Sequence, residues 1–332
     1  MAESHLFPVF HERPSRYSGD GLPADRFNML RSTLLYLSRQ SWLRHWIETS
    51  SLSRRLTSRF IAGRTLEEGI RVAGQLAKDR IFTTLDFLGE NVTSLDEAAR
   101  SRDSYLKALE SIEQCGLGAT VSIKLTQLGL DLSEEICRKN VSVLVGRAKA
   151  MDSRIEIDME SSAYTDRTLG LVSDLHTRFG GHVRAVIQAY LYRSEEDIRR
   201  LSAEGIAIRL CKGAYREPAG IAFQLKSEVD RNYVKLMKLL LDGGVYPAIA
   251  SHDDTVVREC LRYVRAGGIE PGSFEFQMLY GIRRDLQRKL TADGFRLRSY
   301  VPYGDAWYPY FMRRLAERPA NLLFVAKNIL RD

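Results

Sequence analysis

The stretch YFMRRLAE, near the end of the printed sequence, carries two adjacent arginines, Arg313 and Arg314. In a helix, side chains three, four and seven positions apart share a face, so both arginines would lie beside Tyr310 and Glu317. A guanidinium pair is typical of a solvated surface. It is also typical of a site that binds an anion through charge-assisted hydrogen bonds. The stretch by itself leaves both interpretations open.

A second set of polar residues follows short β-prone runs upstream. Nearly every run ends in, or leads into, one of them: Glu90, Lys124, Asp158-Met159-Glu160, Gln188, Arg209, Ser251-His252-Asp253, Glu275 with Gln277, and Tyr300. Each alone has an ordinary explanation as a solvated side chain, a helix cap or a buried hydrogen-bonding group. Because the placement repeats from run to run, it favours one shared functional rim.

The turn Lys212-Gly213-Ala214 directly follows one of these runs. Glycine lets a backbone approach a ligand closely, and lysine supplies a point charge for a phosphate. The turn suits a pyrophosphate-containing cofactor, and it is equally consistent with an ordinary βα turn that binds no ligand.

The β-prone runs number eight, and helix-like stretches separate them. They span 81–86, 119–124, 154–159, 184–189, 205–210, 246–250, 274–279 and 295–300. Strands that alternate with helices predict a parallel sheet, and eight repeats predict closure into a (β/α)₈ barrel. A doubly wound dinucleotide-binding sheet should instead carry G-x-G-x-x-G after its first strand, where this chain has FLGENVTS. In a barrel, the carboxyl ends of all eight strands meet at one rim.

Composition excludes several other classes of protein. The 332 residues are 44% hydrophobic, with no uninterrupted apolar run of the roughly 20 residues that cross a bilayer and no secretory signal at the start. The four cysteines are scattered, so we expect a reducing compartment and no disulfide framework, and the histidine spacing predicts no zinc site. We therefore expect a cytoplasmic protein.

The net charge of +7 draws much of its excess from SRQSWLRHW and SLSRRLTSRF, early in the chain. Residues 1–25 are predicted to be a loose arm, and 26–60 one or two helices. Such basic helices either pack on the protein or contact acidic lipid at the inner face of a membrane. Nucleic acid is less favoured, because no recognised binding motif is present.

Seven motifs in order resemble the proline dehydrogenase family, over residues of about 60–325. They are SIKLTQLGL, IDMESSAYTDRTL, VIQAYLYR, RLCKGAYREP, ASHDD, FEFQMLYG and SYVPYGDAWYPYFMRRLAER. The length is similar to that of the monofunctional bacterial type. The resemblance implies an FAD-dependent enzyme that oxidises L-proline to Δ¹-pyrroline-5-carboxylate by hydride transfer to flavin N5 and passes the electrons to a quinone. This is the first step of proline degradation to glutamate, which makes a pyrroline-5-carboxylate dehydrogenase a candidate partner.

The fold implied by the resemblance is a distorted (β/α)₈ TIM barrel with extra N-terminal helices and a final helix that covers the active site. The predicted domains are 1–60, the N-terminal arm and helices, and 61–332, the flavin-binding catalytic barrel. Asp158 and Arg209 would be the catalytic pair near the flavin. The substrate-binding residues would be Lys124, Leu210, Tyr215, Tyr300, Tyr310, Arg313 and Arg314. The cofactor-binding residues would be Met159, Gln188, Arg209, Lys212, Gly213, Ala214, Ser251, His252 and Glu317. Glu90 would gate or support the arginines, and so would Glu317.

Two positions depart from the family pattern as it is found in the bifunctional enzymes. Arg216 stands in place of a Trp, so the adenine end of FAD is expected to be held differently, and Asp253 stands where an Asn is frequent. The base that deprotonates the substrate amine is not identified, because Asp158 is equally suited to pair with Lys124. Other readings are a dehydrogenase for hydroxyproline or another cyclic amino acid, and a non-enzymatic basic protein that binds lipid or nucleic acid.

Overall fold

The structure is a computed structural model that describes residues 59–89 and 92–317, with the backbone alone for 313–317. The strands are β1 (Phe82–Phe87), β2 (Ala119–Ile123), β3 (Ile155–Ile157), β4 (Val183–Gln188), β5 (Ala207–Cys211), β6 (Ala248–Ala250), β7 (Glu275–Leu279) and β8 (Leu297–Tyr303). The helices are α1 (Leu66–Lys78), α2 (Leu95–Gln114), α3 (Glu134–Ala150), α4 (Thr165–Phe179), α5 (Ser194–Ala203), α6 (Lys226–Gly243), α7 (Asp254–Ala266), α8 (Arg284–Ala292) and α9 (Trp307–Glu317). Short 3₁₀ turns follow β2 (Thr126–Leu128) and β3 (Ser162–Tyr164).

All eight strands are parallel and close into a barrel in chain order, which confirms the predicted fold class. The eight predicted runs are the eight strands, and only their ends differ. β3 stops at Ile157, one residue before Asp158, whereas β8 continues to Tyr303 because its last residues pair with β1 up to Phe87. A short β3 leaves Asp158 on the rim, outside the ladder.

Helix starts follow from the local sequence. Thr65 accepts a hydrogen bond from the backbone of Glu68, whose side chain bonds back to the Thr65 N–H, a capping box that begins α1. Ser94, Ser133 and Asp253 cap α2, α3 and α7 in the same side-chain-to-backbone manner. Side chains of this kind satisfy amide groups that a helix cannot pair internally.

The barrel has an apolar outer face and a polar interior. Outward-facing strand residues such as Leu85, Val121 and Phe276 are fully buried against the helices and form the main hydrophobic core. Inward-facing residues alternate with them, because successive strand side chains point to opposite faces. The interior side chains include ionised groups, so the centre of this barrel differs from the usual layers of branched aliphatic residues.

The inward-facing charges form a buried ion network. Glu275 accepts hydrogen bonds from Arg184 Nη1 at 2.6 Å and from Arg298 Nε at 3.0 Å. Gln277 Nε2 also donates to Glu275 at 2.7 Å, which is the internal hydrogen-bonding role that the sequence left open for both residues. Glu156 on β3 lies 3.5 Å from Arg184 Nη1 and 3.9 Å from Arg298 Nε. Buried carboxylates with two arginine neighbours each are expected to stay ionised.

We expect this network to make stability fall in acid. Burial alone would raise the pKa of Glu275, but Arg298 and Arg184 outweigh it and lower the pKa to about 2. The pKa of Glu275 in the folded state is thus below its unfolded value of roughly 4.3, so the ionised carboxylate stabilises the fold at pH values above about 4.3. This contribution is on the order of 3 kcal/mol, and it is lost as the pH falls towards 2. Urea unfolding should be measured between about pH 5 and pH 3, the range in which this contribution begins to be lost. The free energy of unfolding should fall less steeply with pH in Glu275→Gln than in the wild type. The exposed control Glu135→Gln should follow the wild type.

The barrel belongs to a compact unit that spans Ser58–Trp307, while Tyr308 and the rest of α9 belong to a second unit. The predicted domain boundary after residue 60 stays a prediction. The helices predicted within 26–60 lie almost wholly outside the described residues. None of the helices that the structure describes is both long and apolar enough to cross a membrane.

Candidate active site

The carboxyl ends of five strands bring ionisable and hydroxyl groups together on the barrel rim. Asp86 comes from β1, Lys124 follows β2, Asp158 follows β3, Arg209 lies on β5 and Tyr300 on β8. Four of these residues are predicted site residues, and Asp86 is not among the predictions. The missed signal was its position at the end of IFTTLD, because Asp158 occupies the corresponding place in RIEID.

Asp158 is the centre of the cluster. One of its carboxylate oxygens accepts hydrogen bonds from Arg209 Nη1 at 2.6 Å and from Ser122 Oγ at 2.7 Å. The other accepts from the Tyr300 hydroxyl at 2.7 Å and lies 3.7 Å from Lys124 Nζ. Two cations and two hydroxyl donors therefore converge on one carboxylate, which fixes Arg209 and Tyr300 relative to each other.

Lys124 lies between two carboxylates. Its ammonium donates to Asp86 Oδ1 at 3.0 Å, and Asp158 is its second neighbour. Burial alone would lower the pKa of Lys124, but these two carboxylates outweigh it and raise the pKa above the ordinary value. Lys124 is therefore charged at every physiological pH. Asp86 is 1% exposed, so the ammonium is the cation that compensates a buried carboxylate.

Arg209 is held from several directions. Its Nη2 donates to Glu156, its Nη1 donates to Asp158, and its guanidinium lies 5.4 Å from the centre of the Tyr300 ring. Burial raises the pKa of Tyr300, and Asp158 raises it further, so the hydroxyl is a neutral donor. Glu156 is not among the predicted site residues, although it precedes Asp158 by two positions and side chains at that spacing along an extended chain point to the same face.

Gln188, at the end of β4, carries an unpaired acceptor. Its amide nitrogen donates to the carbonyls of Met159 at 3.2 Å and Glu160 at 2.7 Å. Its Oε1 is buried and has no hydrogen-bond partner among the described residues. Buried polar atoms are almost always paired, so this oxygen is an acceptor that a hydrogen-bond donor at the rim would satisfy.

The loops after β5 and β6 are also joined by charge. Lys212 Nζ is ion-paired with Asp230 and, at 2.8 Å, with Asp253. Burial would raise the pKa of Asp253, but Lys212 outweighs it and lowers the pKa to about 2. Ser251 Oγ accepts from the Asp253 N–H at 3.2 Å, and His252 Nε2 accepts from the Leu279 N–H at 2.7 Å. A neutral His252 therefore carries its ring proton on Nδ1.

Several predicted site residues lie beyond what the structure describes. Glu90 lies outside the described residues, and so do the side chains of Arg313, Arg314 and Glu317, whose backbones are within α9. Tyr310 is described and is buried. The predicted face of two arginines at the end of the chain therefore stays a prediction, as does the covering of the rim by that helix.

The model of a family described as proline dehydrogenase matches residues 70–327. Proline dehydrogenase 1 of Bacillus subtilis is 40% identical over 303 residues, which cover 91% of this chain and 100% of that protein. The chain belongs to the proline dehydrogenase family. The proline dehydrogenase of Deinococcus radiodurans is 41% identical over 280 residues, 83% of this chain and 90% of that protein.

Among solved structures, proline utilization A of Bdellovibrio bacteriovorus superposes on this chain with a TM-score of 0.77. The sequences are 24% identical, and the match covers 87% of this chain but only 37% of that chain. This likeness concerns the fold. It agrees with the closed eight-stranded barrel described above.

One predicted pocket residue, Leu210, does not lie on the barrel rim. Leu210 is fully buried in the hydrophobic core, on the face of β5 opposite to Arg209, so its side chain does not reach the rim cluster. Leu279 is partly buried at the carboxyl end of β7, on the inward face with Gln277 and in register with Tyr300. We therefore replace Leu210 by Leu279 in the candidate pocket.

Gly213 is required by a close contact. Its φ is +111°, and a Cβ built there would lie 2.2 Å from the ring of Tyr190. The neighbouring Ala214 and Tyr215 are exposed. The loop after β5 therefore packs closely against Tyr190 at Gly213, while Ala214 and Tyr215 are exposed on its surface.

The cofactor-binding role that is expected for the loop after β5 is tested by Gly213→Ala. An alanine with positive φ is strained by roughly 1–2 kcal/mol, and the overlap with Tyr190 forces the loop to move further. We expect flavin binding to weaken by about tenfold, measured by titrating apoprotein with FAD. The control is Gly220→Ala in the same loop, where a Cβ meets nothing within 4 Å. Equal affinities for the two variants would contradict a cofactor-binding role for the loop.

Proposed function

We propose that this chain is an FAD-dependent dehydrogenase that oxidises L-proline to Δ¹-pyrroline-5-carboxylate and passes the two electrons to a quinone. The proposal is supported chiefly by the rim cluster, in which Arg209, Tyr300 and Lys124 all contact one carboxylate, Asp158. Proline loses a hydride from the ring carbon next to nitrogen and a proton from nitrogen. Rigid placement of the substrate beside its acceptor is a large part of such catalysis.

Two buried and unpaired atoms support the fit of a flavin. Gln188 Oε1 is an acceptor without a donor, and Arg209 Nε is a donor without an acceptor, among the described residues. A flavin ring offers N–H and ring-nitrogen atoms that suit both. When bound, FAD would accept the hydride at N5. Met159, Gly213, Ala214, Ser251 and His252 would complete the cofactor-binding set, together with Lys212 and Glu317.

Lys212 would bind a phosphate beside two carboxylates. Asp230 and Asp253 both pair with its ammonium in this structure. A lysine ammonium has three donors, so the third N–H would serve the phosphate while the carboxylates offset part of its positive charge. Asp253 is one of the two departures from the family pattern, so it tunes the charge that Lys212 presents to the cofactor.

The substrate is proposed to bind through its charged groups. Lys124, Arg313 and Arg314 would take the proline carboxylate. Tyr215, Leu279, Tyr300 and Tyr310 would line the pocket, and Glu90 and Glu317 would support or gate the arginines. Both oxygens of Asp158 already accept hydrogen bonds. An orienting role therefore suits Asp158 better than that of the base.

The two terminal arginines should act on substrate affinity. Arg313→Met or Arg314→Met removes one charge-assisted contact, which is worth roughly 1.5–3 kcal/mol. We expect the KM for proline to rise by about 10- to 100-fold, with flavin content unchanged. Arg288→Met, an exposed arginine of α8, is the control. An unchanged KM in both arginine variants would leave the pair as surface residues.

The function is tested by the absorption spectrum and by a dye-coupled assay. The purified protein should be yellow, and proline should bleach the flavin band in the absence of oxygen. A colourless protein that takes up no added FAD would sink the proposal and favour the non-enzymatic reading. Comparing kcat/KM for proline and 4-hydroxyproline decides the substrate. A pyrroline-5-carboxylate dehydrogenase would then use the product.

Membrane contact is a separate proposal that rests on the basic segments within residues 1–60. Quinones are lipid-soluble, so a cytoplasmic enzyme that reduces them gains from peripheral contact with the inner membrane face. Sedimentation with anionic liposomes, with and without residues 1–60, measures this. Equal partitioning of the two forms would exclude it.

A further inference from the structure

Glu156 is a fully buried carboxylate directly below the rim cluster. It lies on β3 two residues before Asp158, so both side chains face the barrel interior. Thr120 Oγ1 donates to it at 2.9 Å and Thr84 Oγ1 at 3.2 Å. Arg209 Nη2 donates to it as well. Gln277 Nε2 donates to it at 3.3 Å, so the side chain of Glu156 is fixed by hydrogen bonds from four other strands.

The contacts of Arg209 divide between two carboxylates. Glu156 binds Nη2 and Asp158 binds Nη1, so the planar guanidinium cannot rotate without breaking a charge-assisted bond. This leaves Nε, which is buried and has no hydrogen-bond partner within the described part of the chain. The position of the Arg209 Nε–H group therefore depends on Glu156 as well as on Asp158.

Glu156 also sets the charge around Arg209. Burial would raise its pKa, but Arg209, Arg184 and Arg298 outweigh it and lower the pKa well below the ordinary value. The carboxylate is therefore ionised and places a fixed negative charge against the guanidinium. Arg209 faces the rim with its positive charge partly balanced by Glu156.

We propose that Glu156 is a positioning residue that holds Arg209 in place and partly neutralises the positive charge that Arg209 presents to the bound flavin. The inference rests on the proposed function, since it takes a flavin next to Arg209. Its structural alternative is that Glu156 only stabilises the barrel interior. Glu275 separates the two, because it is equally buried but binds Arg184 and Arg298. Within the described residues, the side-chain hydrogen bonds of Arg209 go to Ser122, Asp158 and Glu156 instead.

The test compares Glu156→Gln with Glu275→Gln in the FAD-loaded enzyme. Each substitution removes one negative charge and keeps the volume. Glu156→Gln should raise the midpoint potential of the bound flavin, because an uncompensated Arg209 favours the extra negative charge of the reduced ring. The kcat for proline should fall by about 10- to 100-fold, the range typical when a carboxylate that orients a metal ligand is removed, with KM for proline unchanged. Glu275→Gln should lose stability but keep the wild-type potential.

Other outcomes overturn the inference. Equal potentials and equal kcat values in the two variants would leave Glu156 a structural residue. If Glu156→Gln does not fold, Glu156→Asp keeps the charge but shortens the side chain, and a wild-type kcat in that variant would exclude positioning. Failure of the proposed function is distinguishable, because the wild-type protein itself would then carry no flavin and oxidise no proline.

Discussion

Substituting Asp158→Asn should lower kcat for proline by two to three powers of ten, roughly the cost of removing a preorganised electrostatic group from an active site. Asp158 accepts hydrogen bonds from Arg209, Tyr300 and Ser122. An asparagine offers one acceptor oxygen in place of two, and it carries no charge to hold Arg209 or Lys124. The relative placement of cation, hydroxyl and ammonium would be lost together. Steady-state kinetics, with flavin content measured on the same samples, checks this.

A matched control for this substitution is Asp131→Asn. Asp131 accepts from the Tyr164 hydroxyl at 3.0 Å and lies 4.0 Å from Arg167, so it has the same kinds of partner outside the cluster. The control should keep wild-type kinetics. If Asp158→Asn keeps wild-type kinetics as the control does, the hydrogen bonds to Asp158 stabilise the fold and have no role in catalysis.

Lys124→Met should damage both stability and substrate affinity. The substitution leaves Asp86, 1% exposed, without its nearest cation. Removing one partner of a buried ion pair typically costs roughly 3–5 kcal/mol. The loss of one carboxylate contact should also raise the KM for proline by about tenfold or more. Urea unfolding and proline titration measure the two effects independently.

The double variant Lys124→Met/Asp86→Asn separates stability from binding. It removes the buried charge along with its partner, so most of the lost stability should return. The KM for proline should stay high, because no cation has been restored at Lys124. Recovery of KM together with stability would contradict a direct role of Lys124 in holding the substrate carboxylate.

The alternation of strand and helix patterns along the chain predicted the barrel, and the repeated polar ends predicted a rim. Both are local signals, because a strand's burial pattern depends on its own neighbours and on the side-chain period of two. The same period would also have placed Glu156 with Asp158 and kept Leu210 away from Arg209. Both errors arose because residues were chosen by their place in a motif at the end of a strand, without regard to which face of the strand each side chain occupies.

The sequence by itself determined the eight strands, the polar residues at their ends and the family to which the chain is similar. Only the tertiary structure decided which charges meet. Lys124 and Asp86 are 38 residues apart, and Arg209 and Asp158 are 51 apart, so their pairing depends on barrel closure and strand register. Closure packs four carboxylates and four cations into one interior, where the low dielectric makes each ion depend on its partner. No local pattern carries that information, because the energy of each pair exists only after the strands have come together.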